Sequence, residues 1–471
     1  MKDRLINFFE FRHNFVLLSL LGLNFLIKIL IFYNTTTFLV SEAGSNFIYL
    51  KEIENGKNPD LFVLNYRSIL SYIGNFFKSS TGTLDTFFWF QAMLGTFSIY
   101  ILYLICLKTT ENKTSALFAV IMATLLMDYH LLTPVFYYQI FEIFFSLLII
   151  YLTILIFEKK TLINLLLVFS IPMLIYFSVF FRSTLSYFWG VLLIMSGFFV
   201  RNKSYKLFRS LSAAGIITLF LFNLLPESKF RDTACQPLVN NFRFYGHTLY
   251  GGDGGEGSFV YEKNRVLYEK RLKAFMIKNN YDSVTIQVHN SFQRSEMKEF
   301  ITKSPIKWLL LQVRKVAYTF GIVPIRDSLE LLTTGKLSLK WYLSAFIIQV
   351  PYAIILLIFV ILIVLFFKVT DFNNVNLFFM SLVLFYLIAG TCLYGHYSER
   401  YRQVVIMAGI LPISAFYFSK FIGWDSHKSI KRGRYILLIL ILFIIFSHWG
   451  YQAYNVLVVN KERYVKALNL F

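Results

Sequence analysis

Apolar residues fall along this chain in long unbroken runs, separated by short polar or basic connections. A membrane-crossing helix needs roughly 20 mainly apolar residues, since each adds about 1.5 Å across a hydrocarbon layer about 30 Å thick. Runs at 15–33, 84–107, 115–132, 137–157, 161–179, 185–200, 210–225, 343–367, 376–394, 403–421 and 434–451 approach that scale. Unpaired backbone groups are not tolerated in lipid, so each run is expected to be a helix. The pattern predicts an all-α polytopic membrane protein of about eleven spans.

Two long segments break the rhythm. The first, 34–83, holds a mixed apolar stretch at 61–77 that suits a helix lying in the interface. The second, 226–340, opens polar with a glycine-rich run at 250–257 and continues as a charged amphipathic stretch at 261–279. It closes with a basic-apolar stretch at 306–318 suited to a membrane surface. The expected organisation is a transmembrane module over 1–225, a large loop over 226–340 and a second transmembrane module over 341–471. No internal repeat is visible, which argues against an inverted-repeat transporter.

Composition supports the membrane assignment. The 471 residues are 57% hydrophobic and only 15% charged, whereas a soluble domain carries about 25% charged residues. With 53 Phe against 9 Pro, the chain is no disordered polypeptide. Its 3 cysteines indicate no disulfide framework, because Cys106 and Cys392 lie in apolar runs and Cys235 stands alone in a polar stretch. The first run is too long for a signal-peptide core and lacks a small-residue cleavage site, so it reads as a retained span.

The net charge of +20 acquires meaning from its distribution. With the N-terminus inside, the cytoplasmic connections hold Lys2, Arg4 and Arg12, then Lys108 and Lys113, then Lys159 and Lys160. Further along come Arg201, Lys203, Lys206 and Arg209, then Lys368, and last Lys420, Lys428, Lys431, Arg432 and Arg434. The short outer connections hold only Arg182, Arg400 and Arg402. This bias orients the chain with the N-terminus cytoplasmic and both long segments outside.

Few residues are left for chemistry. Glu42 sits where the chain leaves the first span, with Tyr49 one face along. A carboxylate there can act as a general base or simply as the acid that favours a helix N-terminus. The stretch Tyr394-Gly-His396-Tyr397-Ser-Glu399-Arg400-Tyr401-Arg402 places arginines among tyrosines at the outer surface. Guanidinium groups grip phosphate oxygens in a fork, although an aromatic belt with neutralising charges also fits. Arg182 interrupts two apolar runs, either aiming at the same phosphate or snorkelling to the surface. Glu142 is the carboxylate well inside a predicted span, and Lys28 in the first span is its expected partner. Asp128 and His130, at the outer end of the third run, are candidate ligands of a divalent metal or a sugar; solvation in a loop is the plainer reading.

The chain has no P-loop, dinucleotide fingerprint, His-Glu-x-x-His or Cys-x-x-Cys, so ATP hydrolysis and redox chemistry are not expected. Its basic residues are dispersed over loops, so neither is nucleic-acid binding.

Four short elements together resemble the GT-C superfamily of polyprenyl-phosphate-dependent glycosyltransferases, in particular its protein mannosyltransferase and aminoarabinose transferase branch. Glu42, Tyr49 and Gly56 match an acid, a tyrosine and a glycine in the first outer loop. Pro134, Tyr138 and Glu142 match an element that opens a span, with Phe141 where threonine is usual. Arg182 matches an arginine at an outer helix junction. Arg400, Tyr401 and Arg402 match an Arg-Tyr-Arg element before a helix carrying Pro412. The large loop and its closing stretch, Ile301 to Trp308 followed by Arg314 and Lys315, also fit. The chain departs from the family at Glu42, where aspartate is usual, often paired with a second acid.

The resemblance implies a GT-C-like bundle in a bacterial plasma membrane, with its active site on the extracytoplasmic face. It implies a polyprenyl-phosphate-linked sugar as donor and a protein, lipid or envelope glycan as acceptor, with inversion at the anomeric carbon. Arg182, Arg400 and Arg402, with Tyr397 and Tyr401, would hold the lipid phosphate, and Glu42 would deprotonate the acceptor. Tyr49, Tyr138, Glu142, His396 and Glu399 would contact sugar or acceptor, or support the site. No cofactor is required beyond the candidate metal. An O-antigen or capsule polymerase or ligase is the alternative enzyme, and a lipid or solute transporter the non-enzymatic one.

Overall fold

The computed structural model describes residues 12–35, 42–56, 66–136, 138–158, 161–178, 181, 186–201, 204–223, 261–283, 286–322, 340–393, 402–424 and 430–454. Among these, all regular structure is helical and no strand occurs. The helices are α1 (His13–Asn34), α2 (Glu42–Glu54), α3 (Tyr66–Thr81), α4 (Asp85–Thr110), α5 (Lys113–Leu125) and α6 (Met127–Leu131). Next come α7 (Gln139–Glu158), α8 (Thr161–Ser178), α9 (Ser186–Val200) and α10 (Tyr205–Asn223). Then follow α11 (Tyr261–Lys278), α12 (Ile286–Lys303), α13 (Pro305–Thr319), α14 (Trp341–Phe366), α15 (Val375–Leu393), α16 (Arg402–Ile422) and α17 (Arg432–Tyr454).

Six of the described helices are long and apolar enough to cross a membrane: α1, α4, α7, α14, α16 and α17. Shorter apolar helices are described at Lys113–Leu125, Asn164–Ser178, Trp189–Val200 and Val375–Ala389. Each expected run therefore contains a helix. The expected run 115–132 is not one continuous helix, however. Leu126 leaves the helical basin (φ −72°, ψ 87°), which separates α5 from α6. Lipid would not tolerate such a break unless other groups paired with the freed backbone. Here protein surrounds it, and of residues 126–136 only Met127 is not fully buried.

The bundle core is an extended apolar cluster built on α4, α5, α7, α8, α15 and α16. Glycines set the closest approach, which is between α9 and α10. A Cβ on Gly215 would lie 2.6 Å from the Gly190 carbonyl oxygen, so only a residue without a side chain fits. α17 is the opposite case, with Ile439, Phe443 and Ile444 exposed around a helix that buries few residues. An apolar helix exposed in this way suits contact with lipid tails.

The helix ends gather at two poles. At one pole, Arg434 donates to the carbonyls of Leu365 and Phe367 (2.8 Å to the latter), which caps the end of α14. Lys420 pairs there with Asp371, and the Asn376 amide donates to the Lys108 carbonyl at 3.3 Å. Three separate connections thus meet at this end, with the basic side chains of Lys420 and Arg434 bridging two of them.

At the other pole, a second apolar cluster joins Ile31 and Phe32 of α1, Leu50 of α2, Leu70 of α3 and Phe87 of α4. It also takes in Leu131, Tyr138, Phe141, Phe181 and Ile348. A salt bridge of 2.7 Å between Lys78 and Glu54 ties α2 to α3. Arg271 of α11 reaches Glu296 (2.6 Å) and Glu299 (3.7 Å) of α12, and Lys303 braces Glu299 within α12 at 2.6 Å.

Candidate functional site

The interruption between α5 and α6 organises the polar groups of the bundle. Where the helix breaks, the Thr124 carbonyl accepts a hydrogen bond from His130 Nε2 at 2.8 Å. The Gln91 amide donates to the Thr133 and Val135 carbonyls at 3.4 and 3.1 Å, serving the backbone after α6. Two side chains from different elements thereby satisfy an irregular segment that has no water to turn to.

His130 faces Lys28 with its other nitrogen, Nδ1, at 3.0 Å. A carbonyl only accepts, so Nε2 carries the ring proton, and the unprotonated Nδ1 accepts from Lys28 Nζ. Lys28 Nζ also donates to Asn24 Oδ1 at 2.5 Å and lies 4.5 Å from the centre of the Tyr129 ring. Tyr129 in turn donates to the Gly95 carbonyl at 2.7 Å. Gly95 makes room for the lysine, since a Cβ there would meet Lys28 Cε at 2.8 Å. Lys28 thus bonds to Asn24 and His130. This corrects the expected pairing with Glu142, because the break of α5 brings His130 into the lysine's reach instead.

Asp128, two residues before His130, reaches Arg402 at the start of α16. The salt bridge is 2.7 Å long and both side chains have 0% exposure. Arg402 also donates to the Gly321 carbonyl at 3.1 Å and lies 4.0 Å from the centre of the Tyr352 ring, with Gln349 Oε1 at 3.5 Å. Burial of an ion pair is better tolerated when its charges have further partners, and here a carbonyl and an aromatic face supply them to Arg402.

Neither Asp128 nor His130 is a loop residue in water, as the plainer sequence reading had them. The metal reading loses its support too. Both His130 nitrogens are engaged, Asp128 is paired with Arg402, and no group of three or more His, Cys, Asp or Glu among the described residues is arranged to hold a metal ion.

The remaining candidates are placed unevenly. Glu42 begins α2, and Tyr49 is half-buried on the same helix, next to the fully buried Leu50. Tyr138 and Glu142 are buried at the start of α7. Arg182, His396, Tyr397, Glu399, Arg400 and Tyr401 lie outside the described residues. Their flanks are informative nonetheless, since Phe181 packs in the same apolar cluster as Leu50, Leu131, Tyr138 and Phe141.

The sequence reading did not single out the glutamines here. Gln139 and Gln403 are buried at 2% and 0% exposure, and neither amide oxygen nor nitrogen has a partner among the described residues. The Gln349 Nε2 is in the same state. Buried polar groups are nearly always paired, so this concentration beside Arg402 stands out. Neutral donors and acceptors of this kind match the hydroxyls of a sugar. Glutamines in or beside apolar helices are the signal that could have pointed to them.

No family profile matches the chain, and no curated protein matches it.

Proposed function

We propose that this protein is a membrane glycosyltransferase. It moves a sugar from a polyprenyl-phosphate donor to an extracytoplasmic acceptor, with inversion at the anomeric carbon. The observation that supports this most is convergence at one pole. Flanks of the first-loop acid, of the span-opening Tyr138 and Glu142 and of the Arg182 junction share one apolar cluster with the segment that follows the α5–α6 break. Arg402, at the start of α16, is bonded to Asp128 of that same break. The elements that carry the resemblance thus adjoin one another, although they lie hundreds of residues apart.

In this reading the chain crosses the membrane about eleven times, with the shorter apolar helices completing the six long ones. The pole rich in Lys108, Lys420 and Arg434 is cytoplasmic. Glu42 takes the proton from the acceptor hydroxyl or amine as that atom bonds to the anomeric carbon. The bond from that carbon to the phosphate oxygen breaks, and the lipid phosphate leaves already charged, so no strong general acid is needed. Arg182 and Arg400 hold the phosphate. Arg402 is already neutralised by Asp128 and keeps the walls of the site in place. Gln139, Gln349 and Gln403 offer hydrogen bonds to sugar hydroxyls.

Replacing Glu42 tests the assignment. Glu42→Gln is expected to abolish transfer by the purified protein while leaving expression and donor binding intact. Full activity in that variant would remove Glu42 from the mechanism.

A transport reading gains from the same broken helix, because interrupted helices with buried ionisable groups also line solute paths. Turnover of a lipid-linked sugar by the purified protein separates the two. A transporter would leave the glycosyl–phosphate bond uncut.

A further inference from the structure

α13 divides its circumference into three faces. Thr319 is buried, and Trp308, Gln312 and Val316 are partly buried along the same side of the helix, which packs near α15. Ile306, Leu309, Leu310 and Val313 form a separate stripe and are 58–73% exposed. Lys307 and Arg314, seven residues apart, share a third register about a quarter turn from that stripe. No acidic residue occurs between Lys303 and Arg326. An exposed apolar stripe flanked only by positive charge complements a lipid surface that carries negative headgroups.

The far end of α13 is fastened to the bundle. His448 bonds to the Ala317 carbonyl at 3.1 Å, Trp449 donates to the Phe320 carbonyl at 3.2 Å, and the Ile322 amide donates to Gln452 at 2.9 Å. Between these bonds lies the Gly321 carbonyl that accepts from Arg402. Gly321 packs against Gln452 so closely that a side chain there would displace the glutamine.

We infer that α13 docks on anionic lipid through its Ile306–Val313 stripe and its Lys307–Arg314 flank, and that this docking holds the Gly321 carbonyl on Arg402. The occupant is a lipid surface, and the inference stands whether or not the protein transfers sugar. Lipid composition would then reach the buried Asp128–Arg402 pair through a single helix.

The test uses the full chain in nanodiscs of either zwitterionic or mixed anionic lipid. With Cys106, Cys235 and Cys392 replaced by alanine, Leu310→Cys carries an environment-sensitive fluorophore. Brominated lipids should quench it strongly in anionic discs. Lys307→Gln should weaken that quenching roughly fivefold, the scale of one basic residue at a charged surface. Absence of quenching in both lipids would overturn the docking, and point to a protein partner or to none. Equal quenching in both would overturn the anionic preference. Hydrogen exchange on the unmodified chain provides a second readout, independent of whether the cysteine-free variant folds. Amides 317–322 should exchange more slowly in anionic discs, and equal rates would refute the link to Arg402.

Discussion

Asp128 and Arg402 illustrate how far a single residue's setting can depart from its sequence neighbourhood. Asp128 lies between Met127 and Tyr129 and Arg402 between Tyr401 and Gln403, and each balances a charge that comes from 274 positions away. Removing one partner of a buried pair strands the other, at a cost of about 3–5 kcal/mol. Asp128→Ala is therefore expected to lower the unfolding midpoint of the detergent-solubilised protein sharply. The double replacement Asp128→Leu with Arg402→Met should recover much of that loss. A double variant no more stable than Asp128→Ala would show that the pair does not act as a unit. Gln403 should behave in the opposite way. Its amide has no partner among the described residues, so Gln403→Met relieves an unpaired buried group worth about 1–3 kcal/mol. Thermal melts of the protein without donor should show Gln403→Met at least as stable as the parent, with weaker donor use in turnover assays. A loss of stability would mean that the amide is satisfied.

At the scale of elements, the apolar runs were legible because lipid leaves the backbone no alternative to helix. Every expected run contains one. The break at Leu126 was not legible, since Leu125, Leu126 and Met127 are all ordinary helix residues. It becomes tolerable only when Gln91, His130 and Thr124 meet in three dimensions, and local pattern does not encode that meeting. The sequence marks Arg402 as a charge out of place and expects a phosphate beside it, whereas its partner, Asp128, is invisible there for the same reason. Gln91→Leu should accordingly destabilise the segment after α6. Loss of the donor to the Thr133 and Val135 carbonyls costs about 1–3 kcal/mol, measurable as a lower melting temperature. Gly215→Leu should separate α9 from α10, because its Cβ would meet the Gly190 carbonyl, and the variant is expected to fail in the same melt. Outside the bundle, hydrogen bonding and charge from Lys303, supported by Arg271, hold the Glu299 carboxyl below the usual carboxylate range. Its contribution to the α11–α12 region is complete above the ordinary carboxylate pKa and is lost as pH falls through the depressed value. Glu299 is largely exposed, so the effect is small. Amide exchange in α12, corrected for intrinsic rates, should quicken as pH falls below the ordinary carboxylate range, and Glu299→Gln should remove that dependence.

For the whole molecule, the two poles carry the functional argument. One gathers basic residues from distant connections, as a cytoplasmic face would. The other gathers the flanks of the acid, tyrosines and arginines that resemble a lipid-phosphate glycosyltransferase. The scarcity of charge in the sequence narrowed the candidates, and the fold joins two of them, Asp128 and Arg402. It also moved Asp128 and His130 out of water and into the bundle, away from a metal role. The most direct measurement incubates the purified protein with a panel of labelled polyprenyl-phosphate sugars and extracted cell-envelope acceptors. The account predicts that one donor is consumed, that the product has the inverted anomeric configuration, and that Glu42→Gln consumes none. If no donor in the panel loses its sugar, the central claim is contradicted.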